Sequence, residues 1–172
     1  MNSKLNPSSL LNQLKFSGKL LTTSLLLGLI GGVNLPGNAQ TNNQSNRDVE
    51  SEAKNYISST TRAQQAYRLE NTTFANSFQE LEINVPTKDP NYIYLIIPQI
   101  NPSQSVMVTA TPQRFGLRSY TGVVFLVKDS QNRFFSFRIV CESLRPSNTP
   151  PIMPQLQSNY QETKCPSNSR KI

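Results

Sequence analysis

Apolar positions follow two different rhythms along this chain, and the change of rhythm marks its architecture. Val49, Ala53, Tyr56, Ile57, Thr60, Ala63 and Tyr67 recur at spacings of three and four, as one face of a helix requires. Asp48 suits the N-cap, and Glu50 and Glu52 place negative charge in the first turns, where the helix dipole favours it. Arg62, Gln65 and Arg68 lie off the stripe. Asn71-Thr72-Thr73 favours a turn, so the helix should end near Leu69 to Asn71. Residues 74–83 (FANSFQELEI) predict a short second helix with Phe74, Phe78 and Leu81 facing inward, and 86–91 (PTKDPN) predict a turn.

From Tyr92 onward the rhythm becomes that of strands. Residues 92–97 (YIYLII) are dense in β-formers, and Pro98 and Pro102 then enforce a loop or an edge. Residues 106–110 (VMVTA) and 117–127 (LRSYTGVVFLV) predict two more strands, with Gly122 a bulge or a point of close approach. Asp129-Ser130-Gln131-Asn132 reads as a hairpin loop. In the fourth strand, 134–141 (FFSFRIVC), Phe135, Phe137, Ile139 and Cys141 share one face and Ser136 and Arg138 the other. One helix followed by four meandering strands is an α+β pattern.

The N-terminus follows neither rhythm. Lys4, Lys15 and Lys19 precede an apolar run of 14 residues, Leu20 to Val33, and no acid occurs before Asp48. That length is short for a membrane helix and right for an export signal. Residues 1–39 therefore read as a signal peptide cut after Ala39; the alternative is an inner-membrane anchor formed by residues 20–35. The polar stretch 40–48 reads as a flexible linker, leaving 49–172 as one globular domain.

Composition narrows the chemistry. The 172 residues contain no His and no Trp, and their net charge is +7. Removing the leader takes three lysines and no acid, so 14 basic and 10 acidic residues remain, a net +4. A catalytic triad lacks its base, and no phosphate-loop glycine pattern occurs. The acid pairs Glu50/Glu52 and Glu80/Glu82 point apart on a helix. The expectation is a non-enzyme without cofactor or metal. Cys141 and Cys165 are the two cysteines, and in an exported chain they most simply pair with each other. A redox pair or metal site is the alternative, and neither CxxC spacing nor His supports it. Arg114, Arg118, Arg133 and Arg138, with Arg145, lie on or beside the third and fourth strands. They are candidates for an anion-binding face toward nucleic acid or an acidic polysaccharide, against a scattered soluble surface.

Several segments carry a resemblance. Residues 52–74 (EAKNYISSTTRAQQAYRLENTTF), Phe74-Ala75-Asn76-Ser77 with Leu81, Ala110-Thr111-Pro112, Leu117, Tyr120, Gly122 and Cys141-Glu142-Ser143 together resemble cyanobacterial type IV pilin-like proteins of the G/H type. The resemblance covers about residues 50 to 145. It implies an N-terminal helix on a four-stranded antiparallel sheet, with a disulfide bounding a variable C-terminal region, 142–172. It also implies a minor pilin or pseudopilin-like role, with other pilin-like proteins or pilus and secretion machinery as partners. The leader departs from the pattern. Prepilins are cut after a Gly that follows a basic residue, here Gly18 as an alternative cleavage point; Lys19 stands where the family has Phe, and Thr23 where it has Glu. A soluble periplasmic or extracellular binding module that has lost filament assembly is the other reading.

Overall fold

The structure is a computed structural model that describes residues 39–83 and 89–172. The expected leader, including Gly18, lies outside the described residues, and Ala39 is the first residue of the helix. The elements are α1 (Ala39–Glu70), β1 (Tyr92–Pro98), β2 (Ser105–Pro112), β3 (Tyr120–Lys128), β4 (Phe134–Ser143) and β5 (Ser169–Lys171), with one 3-10 turn at Tyr160–Glu162. The strands form a single antiparallel sheet in the order β1-β2-β3-β4-β5.

The helix lies on one face of that sheet. Gly122 shows which face, because a Cβ there would come within 2.5 Å of Thr61 Cγ2 and 2.8 Å of Ile57 Cγ2. The register then assigns every strand residue. Tyr120, Gly122 and Val124 of β3 pair with Glu142, Val140 and Arg138 of β4 and with Ala110, Val108 and Val106 of β2, and all of these face α1. Ala53, Ile57, Tyr92, Tyr94, Val108, Ala110, Leu117, Tyr120 and Val140 form the core between helix and sheet. Full burial of each large apolar side chain contributes roughly 1.5–3 kcal/mol.

The opposite face is also covered, by the C-terminal tail. Val123, Phe125, Val127, Ile139 and Cys141 make a second core, against which Met153, Tyr160 and Cys165 pack. The Tyr160 ring meets Phe135 edge-on, with centroids 5.0 Å apart. The Cys141–Cys165 disulfide is formed, and Ser119 and Thr121 donate hydroxyl hydrogen bonds to the tail carbonyls of Thr149 and Pro151. The alternation read in the fourth strand holds, and both of its faces are occupied.

Three expectations change. The sheet has five strands rather than four. Ser169–Lys171 adds to the edge of β4, with Glu142 opposite Arg170, and three polar residues carry no strand signal of their own. Residues 40–47 are helical rather than a linker, so α1 begins well before Asp48. Gln44 donates to Asp48 one turn on, and Arg114 donates to Asn46 from the sheet side, which ties this polar segment down. Residues 74–83 form turns instead of a second helix. Gln64 holds both backbone groups of Ala75, at 2.9 and 3.0 Å, and the Phe74 amide donates to the Pro102 carbonyl, so the backbone there is bonded outside any helix. Phe74 is buried as expected, whereas Phe78 and Leu81 are half-buried.

Candidate interaction surfaces

The entry of α1 onto the sheet is fixed by charge. Glu142, buried on the helix-facing side of β4, receives Arg170 Nη2 at 2.6 Å and Nε at 2.7 Å from β5. It also receives Lys54 Nζ at 3.5 Å from α1 and the Tyr120 hydroxyl at 3.3 Å from β3. Burial pushes its carboxyl upward, but the Arg170 hydrogen bonds, Lys54 and Arg118 outweigh it and hold the group below the ordinary carboxylate range. A second tie lies nearer the N-terminus, where Glu50 accepts the Arg118 amide at 2.8 Å and its guanidinium at 3.2 Å.

Four tyrosines line the inner side of this end. The Tyr56 ring stacks on Tyr94 at 4.3 Å, and Tyr92 sits between Tyr94 and Tyr120. Burial, then the charge of Asp89, pushes the Tyr56 hydroxyl up to about 12, and that hydroxyl has no hydrogen-bond partner among the described residues. Tyr56 also borders an open groove of about 540 Å³ on the flank of α1, with Asp48, Glu52 and Ile83.

The tail leaves the β1 side of the outer sheet face bare. Ile93 and Leu95 are each about half exposed there, and Ile100 beyond the strand is fully exposed. β1 is an edge strand, and β1 and β2 contain no charged residue. Edge strands commonly carry charge that discourages pairing with another chain.

The four candidate arginines occupy separate places. Arg114 donates to Asn46 and Asn91, and Arg118 is paired with Glu50 just before β3. Arg133 is paired with Asp129 at 2.7 Å in the hairpin after β3, so the nine residues of β3, roughly 30 Å of strand, separate it from Arg118. Arg138 lies mid-strand on the helix-facing side of β4 and is influenced by Arg62 of α1. The hairpin itself forms as read: Asn132 takes a positive φ of 63°, and Asp129 accepts the amides of Gln131 and Arg133.

Sequence reasoning missed the polar residues that hold the head together. Thr61, Gln64 and Glu142 are all buried. Gln64 falls four residues after Thr60 on the stripe, and that spacing was the available signal. Nothing local distinguishes Glu142 from a surface acid. No group of three potential metal ligands occurs among the described residues, and no described helix is long and apolar enough to cross a membrane.

No curated protein and no solved structure matches the chain. A family model does, that of type IV pilin-like G and H, across residues 50–166. The matched span runs from the Glu50 that anchors the helix to the residue after Cys165, taking in the helix from Glu50 onward, four strands and the disulfide loop. With its helix laid on an antiparallel meander and its tail bounded by a disulfide, this chain belongs to the type IV pilin-like G and H family.

Proposed function

We propose that the chain is a non-enzymatic, exported component that docks through its pilin-like head onto type IV pilus or type II secretion machinery. The family match over 50–166 carries this reading. Contacts with other pilin-like proteins run through the flank of α1 and the uncharged edge of β1, two borders of the helix–sheet layer that stand open among the described residues. A second reading, a soluble periplasmic or extracellular binding module, is favoured by Lys19 and Thr23 in the leader and by Pro36-Gly37, a helix-breaking pair that interrupts the stem just after its short apolar run. N-terminal sequencing of the protein recovered from its native cells tests the choice. A mature start at Lys19, N-methylated, is the outcome expected of pilin processing. A start at Gln40, with the protein free of pilus and secretion fractions, would replace the docking reading with the second one.

A further inference from the structure

The C-terminal tail forms a groove of about 590 Å³ between the strap 144–152 and the turn 166–169. That volume is in the range of small-molecule sites. Both walls are fixed by the chain itself. The Leu144 amide donates to the Asn168 carbonyl at 3.0 Å, which joins strap to turn, and the Ser147 amide donates to the Leu117 carbonyl at 2.9 Å. Cys165, one residue before the turn, is tied to β4 by the disulfide. Pro146, Pro150, Pro151 and Pro166 line the groove together with Leu144 and Ile152, both of them exposed. Four rings of fixed φ keep this apolar lining stiff.

The backbone of the lining is largely engaged. The Arg145 carbonyl accepts the Ser143 hydroxyl at 2.8 Å, and the Thr149 carbonyl accepts those of Ser119 and Ser147 at 2.9 Å. The Pro151 carbonyl accepts the Thr121 hydroxyl, and the Pro166 carbonyl accepts the amide and hydroxyl of Ser169. The side chains of Arg145, Ser167 and Asn168 carry the remaining polar capacity. Of the five arginines grouped in the sequence, Arg145 alone lines this groove, and it forms no ion pair among the described residues. No acid lines it. Glu142 faces α1 from the other side of the sheet, and Glu162 lines the next groove along the tail, together with Lys164. The terminal carboxylate of Ile172, whose amide is bonded to Val140, lies three residues beyond Ser169, about 10 Å along β5.

We propose that this groove binds a small amphipathic acid, a carboxylate carried on one aromatic ring or a short alkyl chain. The proline rings and Ile152 receive the apolar body, and the Arg145 guanidinium receives the carboxylate through paired N–H donors. A neutral sugar fits less well, because the engaged carbonyls leave few acceptors for its hydroxyl protons. The site is independent of docking through α1 or β1, since neither element lines the groove.

The test is a titration of the oxidised full-length chain, at constant ionic strength, with sodium phenylacetate, with uncharged phenylacetamide, and with the acetylated peptide Ala-Ala-Leu bearing a free C-terminus. The backbone amide resonances of Ser147, Ser167 and Asn168 are followed together. The expected result is one saturating midpoint for phenylacetate at all three amides, at least about tenfold weaker for phenylacetamide. Arg145→Gln should weaken phenylacetate binding about tenfold and Ile152→Asn should weaken it too, while Arg133→Gln leaves it unchanged. Arg145 and Ile152 are both exposed, so neither substitution disturbs the core, and circular dichroism of each variant confirms its fold. Unmoved amides, equal binding of the uncharged analogue, or an unchanged midpoint in Arg145→Gln would overturn the assignment. Binding of the peptide more than about tenfold tighter than phenylacetate would overturn it as well, in favour of a chain terminus as occupant.

Discussion

At the residue scale, the head is governed by a few side chains with no tolerance for change. Gly122 is the clearest, because its missing side chain is what lets Ile57 and Thr61 descend onto the sheet. Gly122→Ala places a methyl group 2.5 Å from Thr61 Cγ2. It should lower stability by about 1–3 kcal/mol, read from the urea midpoint. Glu142 governs in a different way. Glu142→Gln leaves Lys54 and Arg170 without their shared counter-charge. It should cost about 2 kcal/mol at neutral pH, less than a fully buried pair because both partners reach solvent. The pH dependence follows from the direction of the Glu142 shift. Its folded-state pKa is depressed, so its contribution is complete above the ordinary carboxylate value of 4.5 and is lost as pH falls through the lower folded value. Urea midpoints taken between about pH 6 and pH 3 should fall steeply for the native sequence and less steeply for Glu142→Gln. Asp129, also lowered through its bonds from Arg133, supplies part of the remaining slope.

At the scale of elements, the tail and the sheet depend on each other. Cys141→Ser with Cys165→Ser removes a loop-closure constraint of about 3 kcal/mol in the chain-entropy model. It also frees the tail that covers Val123, Phe125 and Ile139. The double variant should bind a hydrophobic dye such as ANS while retaining its far-ultraviolet helix signal, since α1 packs on the other face. The four main strands were legible in the sequence because their β-branched and aromatic runs are bounded by proline and polar turns. β3 starts at Tyr120 rather than 117 because Leu117, although buried, belongs to the approach loop. The central helix was legible from its stripe, but its start was not. Residues 40–47 have no apolar period, and two side-chain bonds secure them instead. The failed second helix shows the converse. Phe74, Phe78 and Leu81 have helical spacing, yet Gln64 and the Pro102 carbonyl claim the backbone at Phe74 and Ala75. β5 was invisible because its pairing depends on the disulfide loop returning the chain to β4. The anion-binding reading grouped arginines by closeness in sequence, whereas the strand separates them: Arg118 is paired just before β3 and Arg133 in the hairpin after it.

At the scale of the whole molecule, the sheet is a partition with unequal coverage. The helix covers one side, the tail covers the β3–β4 half of the other, and Ile93 and Leu95 remain uncovered. Substituting Leu95→Lys on that outer face should change stability by no more than about 0.5 kcal/mol. If β1 meets another pilin-like protein, the same change should abolish co-purification with that protein. Retained co-purification would move the contact to the flank of α1. The coverage by the tail also reaches beyond packing. Because a disulfide closes the outer layer, and disulfides persist only in oxidising surroundings, the chemistry of the compartment acts as a checkpoint on this fold. A chain held among reduced thiols keeps its helix-bearing side while its other side stays unsealed, so maturation and place of residence are recorded in the same bond.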